Sequence, residues 1–394
     1  MKFYPTVNIL GNEKNELLKC LKSKQWSSFK GALSEKNYQK ILTMDSISSG
    51  KLKDLEIRFL GGKYVRKLES NVVKKFKVKF CVSANSATSC LHMALASINV
   101  GPGDEVLVPS MSFNSTATSI LYVNAIPKFV EVKPDTFCID PEDIKKKITK
   151  NTKAIMPVHL SGIPAEIDQI KKICKKYNLI FIEDAAHAFG GKYKNKYLGT
   201  FGDVGIFSLH PRKNLHVFGD GGIIVTKNKK LHKKLLLLRN HGLRDRNESI
   251  IWGTNSRLDN MQASFGNVML NKINKWNKKF FKTANYYSKN LKHLVQIPIY
   301  DNQISTPTFH QYIIRTNKRD SLKKFLNKKG IETAIHYPKP IHKQKAYIND
   351  FGNIKLRYTE KYAKQILSLP IHAFLNDQQI RYVVNNIKLF FNKN

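Results

Sequence analysis

Acidic side chains, paired cysteines and long apolar runs are what this chain has least of. Its five cysteines, Cys20, Cys81, Cys90, Cys138 and Cys174, are odd in number, widely scattered and form no C-x-x-C pair. That pattern excludes a disulfide framework and gives no zinc or other metal site. No apolar run approaches the length of a membrane span, and Met1–Leu10 lacks the apolar centre of a signal peptide. The expectation is a cytoplasmic protein with no membrane partner. Only 29 Asp and Glu stand against 67 Lys and Arg, a formal net charge of +38. Those lysines are spread through nearly every helix-like segment (Lys145–Lys147, Lys171 and Lys172, Lys175 and Lys176, Lys278 and Lys279). A nucleic-acid partner calls for basic residues concentrated on one element, so the charge reads as solvated helix faces. The resulting field still attracts a phosphorylated small molecule.

At 394 residues, one large and one smaller domain is the natural division. Strand-like and helix-like segments alternate from Phe80 onward. Phe80–Ala84, Glu105–Pro109, Pro127–Val132, Lys153–His159, Leu179–Asp184, Val204–Leu209 and Gly222–Thr226 read as strands. Ala87–Ile98, Pro141–Ile148, Glu166–Tyr177 and Lys230–Arg239 read as helices, preceded by a helix over Tyr64–Phe76. This alternation predicts an α/β fold with a mostly parallel sheet covered on both faces. A long helical pattern running through Trp276 to Leu291 leads into a second α/β unit. Its expected elements are a strand at His310–Arg315, a helix at Leu322–Lys329, a strand end at Ala334–Pro338, and helices at Lys355–Leu367 and Asp377–Phe391.

The chemistry concentrates around one lysine. Lys213 sits in a loop between two apolar strands, Val204–Leu209 and Gly222–Thr226. Desolvation there lowers an amine's pKa and makes it a nucleophile. Asn85-Ser-Ala-Thr88 opens a helix after a strand, which suits either an ordinary N-cap or an anion held on free N–H groups. Asp184 ends a strand, where ligands bind in parallel sheets and where a carboxylate also caps helices. Phe113 follows another strand. An anion nest, a strand-end acid, an aromatic and a loop lysine together match the needs of pyridoxal phosphate: phosphate donors, a counter-charge for the ring nitrogen, a flat partner and an amine for the aldehyde.

Several ordered motifs then carry a resemblance over roughly Phe80 to the C-terminus. They are Asn85-Ser-Ala-Thr88, Gly101-Pro-Gly-Asp-Glu-Val106, Pro157-Val-His-Leu160, Glu183-Asp-Ala-Ala-His-Ala188, Phe207-Ser-Leu-His-Pro-Arg-Lys-Asn214, Gly219-Asp-Gly-Gly222, Arg239-Asn-His-Gly242, Asn255-Ser-Arg-Leu-Asp259 and His336-Tyr-Pro338. In these the chain resembles the DegT/DnrJ/EryC1/StrS family of pyridoxal-phosphate sugar aminotransferases, with the aspartate aminotransferase (type I) fold. The resemblance implies a large cofactor domain over 1–260 with a mostly parallel seven-stranded sheet. A linking helix and small C-terminal domain then occupy 261–394. It implies that Lys213 forms the Schiff base and moves the proton, and that Asp184 pairs with the ring nitrogen. His187 is expected near the ring hydroxyl and Phe113 on the ring face. Ala87, Thr88 and Ser208 are expected to hold the phosphate. Asn255 is expected to reach the cofactor of a partner subunit in a homodimer.

The implied reaction moves an amine from L-glutamate, through the pyridoxamine form, to a keto group of a nucleotide-linked deoxyhexose, in the biosynthesis of an amino sugar such as those of surface polysaccharides. Arg257, His336 and Tyr337, in their motifs, resemble members acting at C3 more than those acting at C4. A dehydratase branch carries histidine in place of the lysine, and Lys213 argues against it. Other readings are an aminotransferase acting on a cyclitol or another non-nucleotide ketone, and a basic binding protein without catalysis. Two departures stand out. Ala87 replaces a common glycine, and about residues 27–62 form a polar insertion that matches no family segment.

Overall fold

The structure, a computed structural model, describes residues 12–24, 61–244 and 248–392. Apart from its last two positions, the expected polar insertion lies outside the described residues.

The central sheet is built from short, almost wholly buried strands: β1 (Phe80–Ala84), β2 (Glu105–Pro109), β3 (Ile126–Val130), β4 (Thr152–Ile155) and β5 (Ile180–Asp184). Two Lys-Tyr pairs, β6 (Lys192–Tyr193) and β7 (Lys196–Tyr197), follow, and then β8 (Val204–Ser208) and β9 (Gly222–Thr226). Seven of them form one sheet in the order β1-β9-β8-β5-β4-β2-β3. Every neighbouring pair in it is parallel except the two made by β9, which runs against β1 and β8. The carboxyl ends of β1, β2, β5 and β8 therefore share one edge, and β9 starts from it.

Strand periodicity divides the core into two layers. Val106, Val108, Val204, Ile206 and Ile224 pack on one face, while Leu107, Phe207, Ile223 and Val225 pack on the other. Successive side chains on a strand point to opposite faces, and burial on both explains the unbroken apolar runs. The helix Ala87–Ser97 covers the first face, and the helix Lys63–Phe76 the second.

The helix Asn260–Leu291 reaches beyond this core. Its early residues Ala263, Met269 and Ile273 belong to the main core, whereas Phe280, Ala284, Tyr287 and Leu291 pack in a third cluster with the C-terminal elements. Among those elements β10 (Ser305–Thr306) pairs with β6, and β11 (Tyr312–Arg315) pairs antiparallel with β12 (Ile366–Leu369). β12 corrects the helix expected to run through Leu367: the helix spans Arg357–Gln365, and the chain extends from Ile366. The four residues of β12 are all buried, so pairing with β11 overrides helical continuation. The strand end expected at Ala334–Pro338 reduces to one bridge between Ala334 and Ser368.

One buried ion pair fastens the edge strand. Arg239, 2% exposed, ends the helix Lys229–Arg239 and places Nη1 2.8 Å from Glu69 Oε1. The same oxygen accepts from Ser83 N at 2.7 Å and Ser83 Oγ at 2.8 Å, and Arg239 Nη1 donates to the Ser83 carbonyl at 3.2 Å. Two helices are thereby tied to β1 through groups that burial would otherwise penalise. Glu69→Ala removes the carboxylate facing a buried guanidinium and should cost about 3–5 kcal/mol of stability, read as a fall in the urea unfolding midpoint. An unchanged midpoint would refute the assignment.

Candidate active site

Four strand ends meet at a cavity of about 350 Å³. After β1, Ser86 caps the helix Ala87–Ser97, its hydroxyl accepting from Ser89 N at 3.0 Å. The N–H groups of Ala87 and Thr88 have no such partner among the described residues and line the cavity. Thr88 Oγ1 rests 2.8 Å from Ser115 Oγ. A Cβ added at Gly222, where β9 begins, would come within 2.5 Å of the Ser86 carbonyl oxygen and 2.7 Å of Ala87 N. Only glycine allows the helix start to sit that close. Ser208, at the end of β8, adds a hydroxyl that accepts from His210 N at 3.3 Å. Together these form a cradle of N–H and O–H donors at the positive end of a helix dipole, which suits a phosphate.

Glu183 and Asp184 are adjacent and point to opposite faces of the sheet. Glu183 is wholly buried in a structural role: it accepts from Gly199 N, Phe201 N and Gly202 N at 2.6–2.9 Å and lies 3.0 Å from His159 Nε2. Asp184, 4% exposed, faces the cavity. Its partners are Ala186 N at 3.1 Å and the Thr116 hydroxyl at 3.4 Å. Burial pushes its carboxyl pKa up, against those hydrogen bonds and the Lys213 charge. A carboxylate so placed is relieved by a cationic partner such as a protonated ring nitrogen.

Lys213, half-buried in the loop between β8 and β9, also lines the cavity. Burial lowers its amine from 10.5 to about 8, with Asp184 pulling the other way. His187 accepts from Ser161 N at its Nδ1 (3.2 Å), and burial drives its pKa well below 6.5. The ring is therefore neutral and carries its proton on Nε2. Phe113 is 61% exposed at the mouth, 6.3 Å from the Tyr337 ring, so its face is open to a flat partner. His336 also lines the cavity; its Nδ1 is 2.9 Å from Ser368 Oγ, and burial lowers it to about 4. A donor cradle, a buried acid, a desolvated amine and an open aromatic face fit pyridoxal phosphate.

Two expected residues stand elsewhere. Asn255 is exposed and does not line this cavity; its carbonyl accepts from Asn85 Nδ2 at 3.3 Å. Arg257 donates from Nη1 to Asn240 Oδ1 at 2.8 Å and is likewise outside it. Among the cavity residues that escaped the sequence reading as site candidates are His210, Arg212, His310 and Gln311. The first two flank Lys213 closely enough for the lysine loop itself to have flagged them. His310 and Gln311 were legible only as the start of a strand, and the approach of their segment to His187 is tertiary. Thr308 Oγ1 donates to the His187 carbonyl at 2.6 Å, and Thr308 N to the Gly162 carbonyl at 3.2 Å. Gly162, at φ +83°, permits this contact, since a Cβ there would lie 1.8 Å from Thr308 Oγ1.

Comparison with known proteins points to one family. Residues 54–388 match the model of the DegT/DnrJ/EryC1/StrS aminotransferase family. A pleiotropic regulatory protein of Geobacillus stearothermophilus is 38% identical over 343 residues, 85% of this chain and 91% of the relative. The UDP-N-acetyl-3-dehydro-alpha-D-glucosamine 3-aminotransferase of Acidithiobacillus ferrooxidans is 37% identical over 345 residues, 86% of this chain and 91% of the relative. Among solved structures, S. venezuelae DesV superposes with a TM-score of 0.85 at 31% identity, covering 96% of this chain and 94% of its own.

The lowered amine can be checked without any cofactor. An amine-acylating reagent should label Lys213 with a midpoint near pH 8, because the neutral amine that reacts predominates only above its pKa; surface lysines should follow about 10.4. Asp184→Asn removes the charge that raises Lys213 and should move its midpoint lower still. A midpoint for Lys213 matching the surface lysines would show that the loop does not desolvate it.

Proposed function

This chain belongs to the DegT/DnrJ/EryC1/StrS aminotransferase family, and we propose that it carries the amine of L-glutamate to a keto carbon of a nucleotide-linked deoxyhexose, C3 in preference to C4. It is a pyridoxal-phosphate-dependent aminotransferase. The observation that carries the transamination chemistry is the desolvated Lys213 sharing one cavity with the buried Asp184. When bound, pyridoxal phosphate supplies a conjugated ring that takes up the electron pair left at the substrate carbon.

The chain's own residues do the rest. The N–H groups of Ala87 and Thr88 and the hydroxyls of Thr88 and Ser208 would hold the phosphate. Asp184 would keep the ring nitrogen protonated, His187 would donate from Nε2 to the ring oxygen, and Phe113 would cover one face. Lys213 would be the nucleophile that anchors the aldehyde, and its amine, lowered by burial to about 8, would move a proton on and off the substrate carbon. His336 and Tyr337, on the cavity wall, would face the sugar. The name of the Acidithiobacillus relative specifies transfer at position 3 and supports the choice of C3. The name of the Geobacillus relative records regulation; a lysine and an acid tuned in this way have a purpose only in catalysis, which favours an enzyme here.

The exposed segment around Asn255 supports a homodimer with shared sites. Trp252, three residues earlier, is 94% exposed, a large apolar surface that a second copy would cover. Asn255 then completes the partner's phosphate cradle, and Arg257 lies beside it for the sugar nucleotide.

Three outcomes are expected. The holoenzyme should be yellow and bleach with borohydride, and Lys213→Ala should not; that variant should lose at least about 10²–10⁴-fold in transamination rate from the absent proton transfer. With glutamate, 3-keto nucleotide sugars should turn over and 4-keto ones should not; turnover of the 4-keto form alone would overturn the C3 assignment, and turnover of a cyclitol ketone alone the nucleotide-sugar class. Lys213→Ala and Asn255→Ala, each inactive by itself, should regain activity when mixed and refolded together, since a mixed dimer holds one intact site. Failure of that complementation would remove Asn255 from the partner's site.

A further inference from the structure

A chain of directed hydrogen bonds fixes the polarity of His310, a cavity residue with no role so far. It starts at a backbone carbonyl, whose direction is unambiguous. Asn277 Nδ2 donates to the Phe189 carbonyl at 3.0 Å, so Asn277 Oδ1 is its acceptor end. Asn214 Nδ2 donates to that oxygen at 3.0 Å and to the Thr308 carbonyl at 3.2 Å. Asn214 Oδ1 is therefore also an acceptor, and His310 Nδ1, 3.2 Å away, must carry the ring proton. Burial holds the imidazole neutral, which leaves Nε2 as a bare lone pair. No described residue donates to Nε2, which is open to the cavity; the ring lies on the cavity wall, its centroid 4.5 Å from that of His187. His187 is pinned with the opposite polarity, a donor at Nε2, by Ser161 N. Two adjacent neutral imidazoles thus offer one donor and one acceptor to whatever fills the site.

We propose that His310 is a specificity-determining residue that accepts a hydrogen bond from a hydroxyl on the sugar carbon next to the keto carbon. The preferred acceptor is therefore a ketosugar that keeps its hydroxyl there, not one deoxygenated at that carbon. This rests on the nucleotide-sugar reading above. The cofactor does not need the lone pair: its phosphate and ring oxygen are acceptors, and its ring nitrogen belongs to Asp184. The two carboxylates of glutamate require donors, and its amine is the group transferred. A sugar hydroxyl is the donor that remains. Asn214 is next in sequence to Lys213, so the loop that positions the amine also positions the acceptor. A site built to receive a hydroxyl discriminates against the analogue lacking it, because a substrate that closes off the acceptor without donating to it leaves it unpaired.

The test uses the holoenzyme, glutamate and two nucleotide ketosugars alike except that one has hydrogen in place of the hydroxyl beside the keto carbon. Wild type should prefer the hydroxylated sugar by about 10- to 100-fold in kcat/KM. His310→Ala should lose about that factor on the hydroxylated sugar and little on the deoxy sugar, with cofactor absorbance unchanged. His310→Gln, which offers an amide oxygen, should restore part of the preference. Equal losses on both sugars would show a purely structural role and overturn the proposal. So would an unaltered preference in His310→Ala, or an effect confined to the KM for glutamate. Wild-type turnover of both sugars without preference removes this proposal alone, whereas turnover of neither removes the nucleotide-sugar reading with it.

Discussion

A carboxylate buried at a strand end and an amine drawn partly out of water share one cavity, and each sets the protonation of the other. Asp184 is held up by desolvation and pulled down by the Lys213 charge; Lys213 is held down by desolvation and pulled up by Asp184. Neither group would be tolerated there without compensation. The pair is supported because β5 and β8 are hydrogen-bonded neighbours, with Asp184 opposite Ile206, and because β9 turns back to close the loop carrying the lysine. Reversal of that one strand in an otherwise parallel sheet is what brings a loop, and not a helix, across the strand ends.

The surrounding imidazoles make sense in the same electrostatic frame. His187, His310 and His336 are all held neutral by burial beside a cationic amine. A second positive charge in the cavity would drive Lys213 lower and weaken the pull of the site on an anionic cofactor. Neutral rings supply hydrogen bonds of fixed polarity instead. Adjacent carboxylates are put to different uses by the same pleat. Glu183 receives three backbone N–H groups from the turn at 199–202 and stiffens the approach to β8, while Asp184 turns to the cavity.

Much of this could be read from the chain beforehand. The seven strand runs of the central sheet and the helices between them keep their places within a few residues, because strands buried on both faces leave an apolar record that few other structures leave. Thr88, Asp184, Ser208 and Lys213 were legible because each lies at a junction between elements, where short polar residues interrupt apolar runs. β12 was not legible: Ile366-Leu-Ser-Leu369 continues a helical pattern as well as it begins a strand, and only the neighbour β11 decides between them. His310 was not legible as a cavity residue either, since its place depends on the contact of Thr308 with His187 and Gly162.

The lysine in its loop, the acid at its strand end and the order of motifs along the chain belong to the sequence alone, because local chemistry writes them into residue type and spacing. Which carboxylate of Glu183-Asp184 faces the site, how far the amine falls, and which nitrogen of each histidine carries its proton were decided only in the folded chain. Those properties depend on burial and on hydrogen-bond partners up to 96 residues away, as with His310 and Asn214, and no local pattern records them.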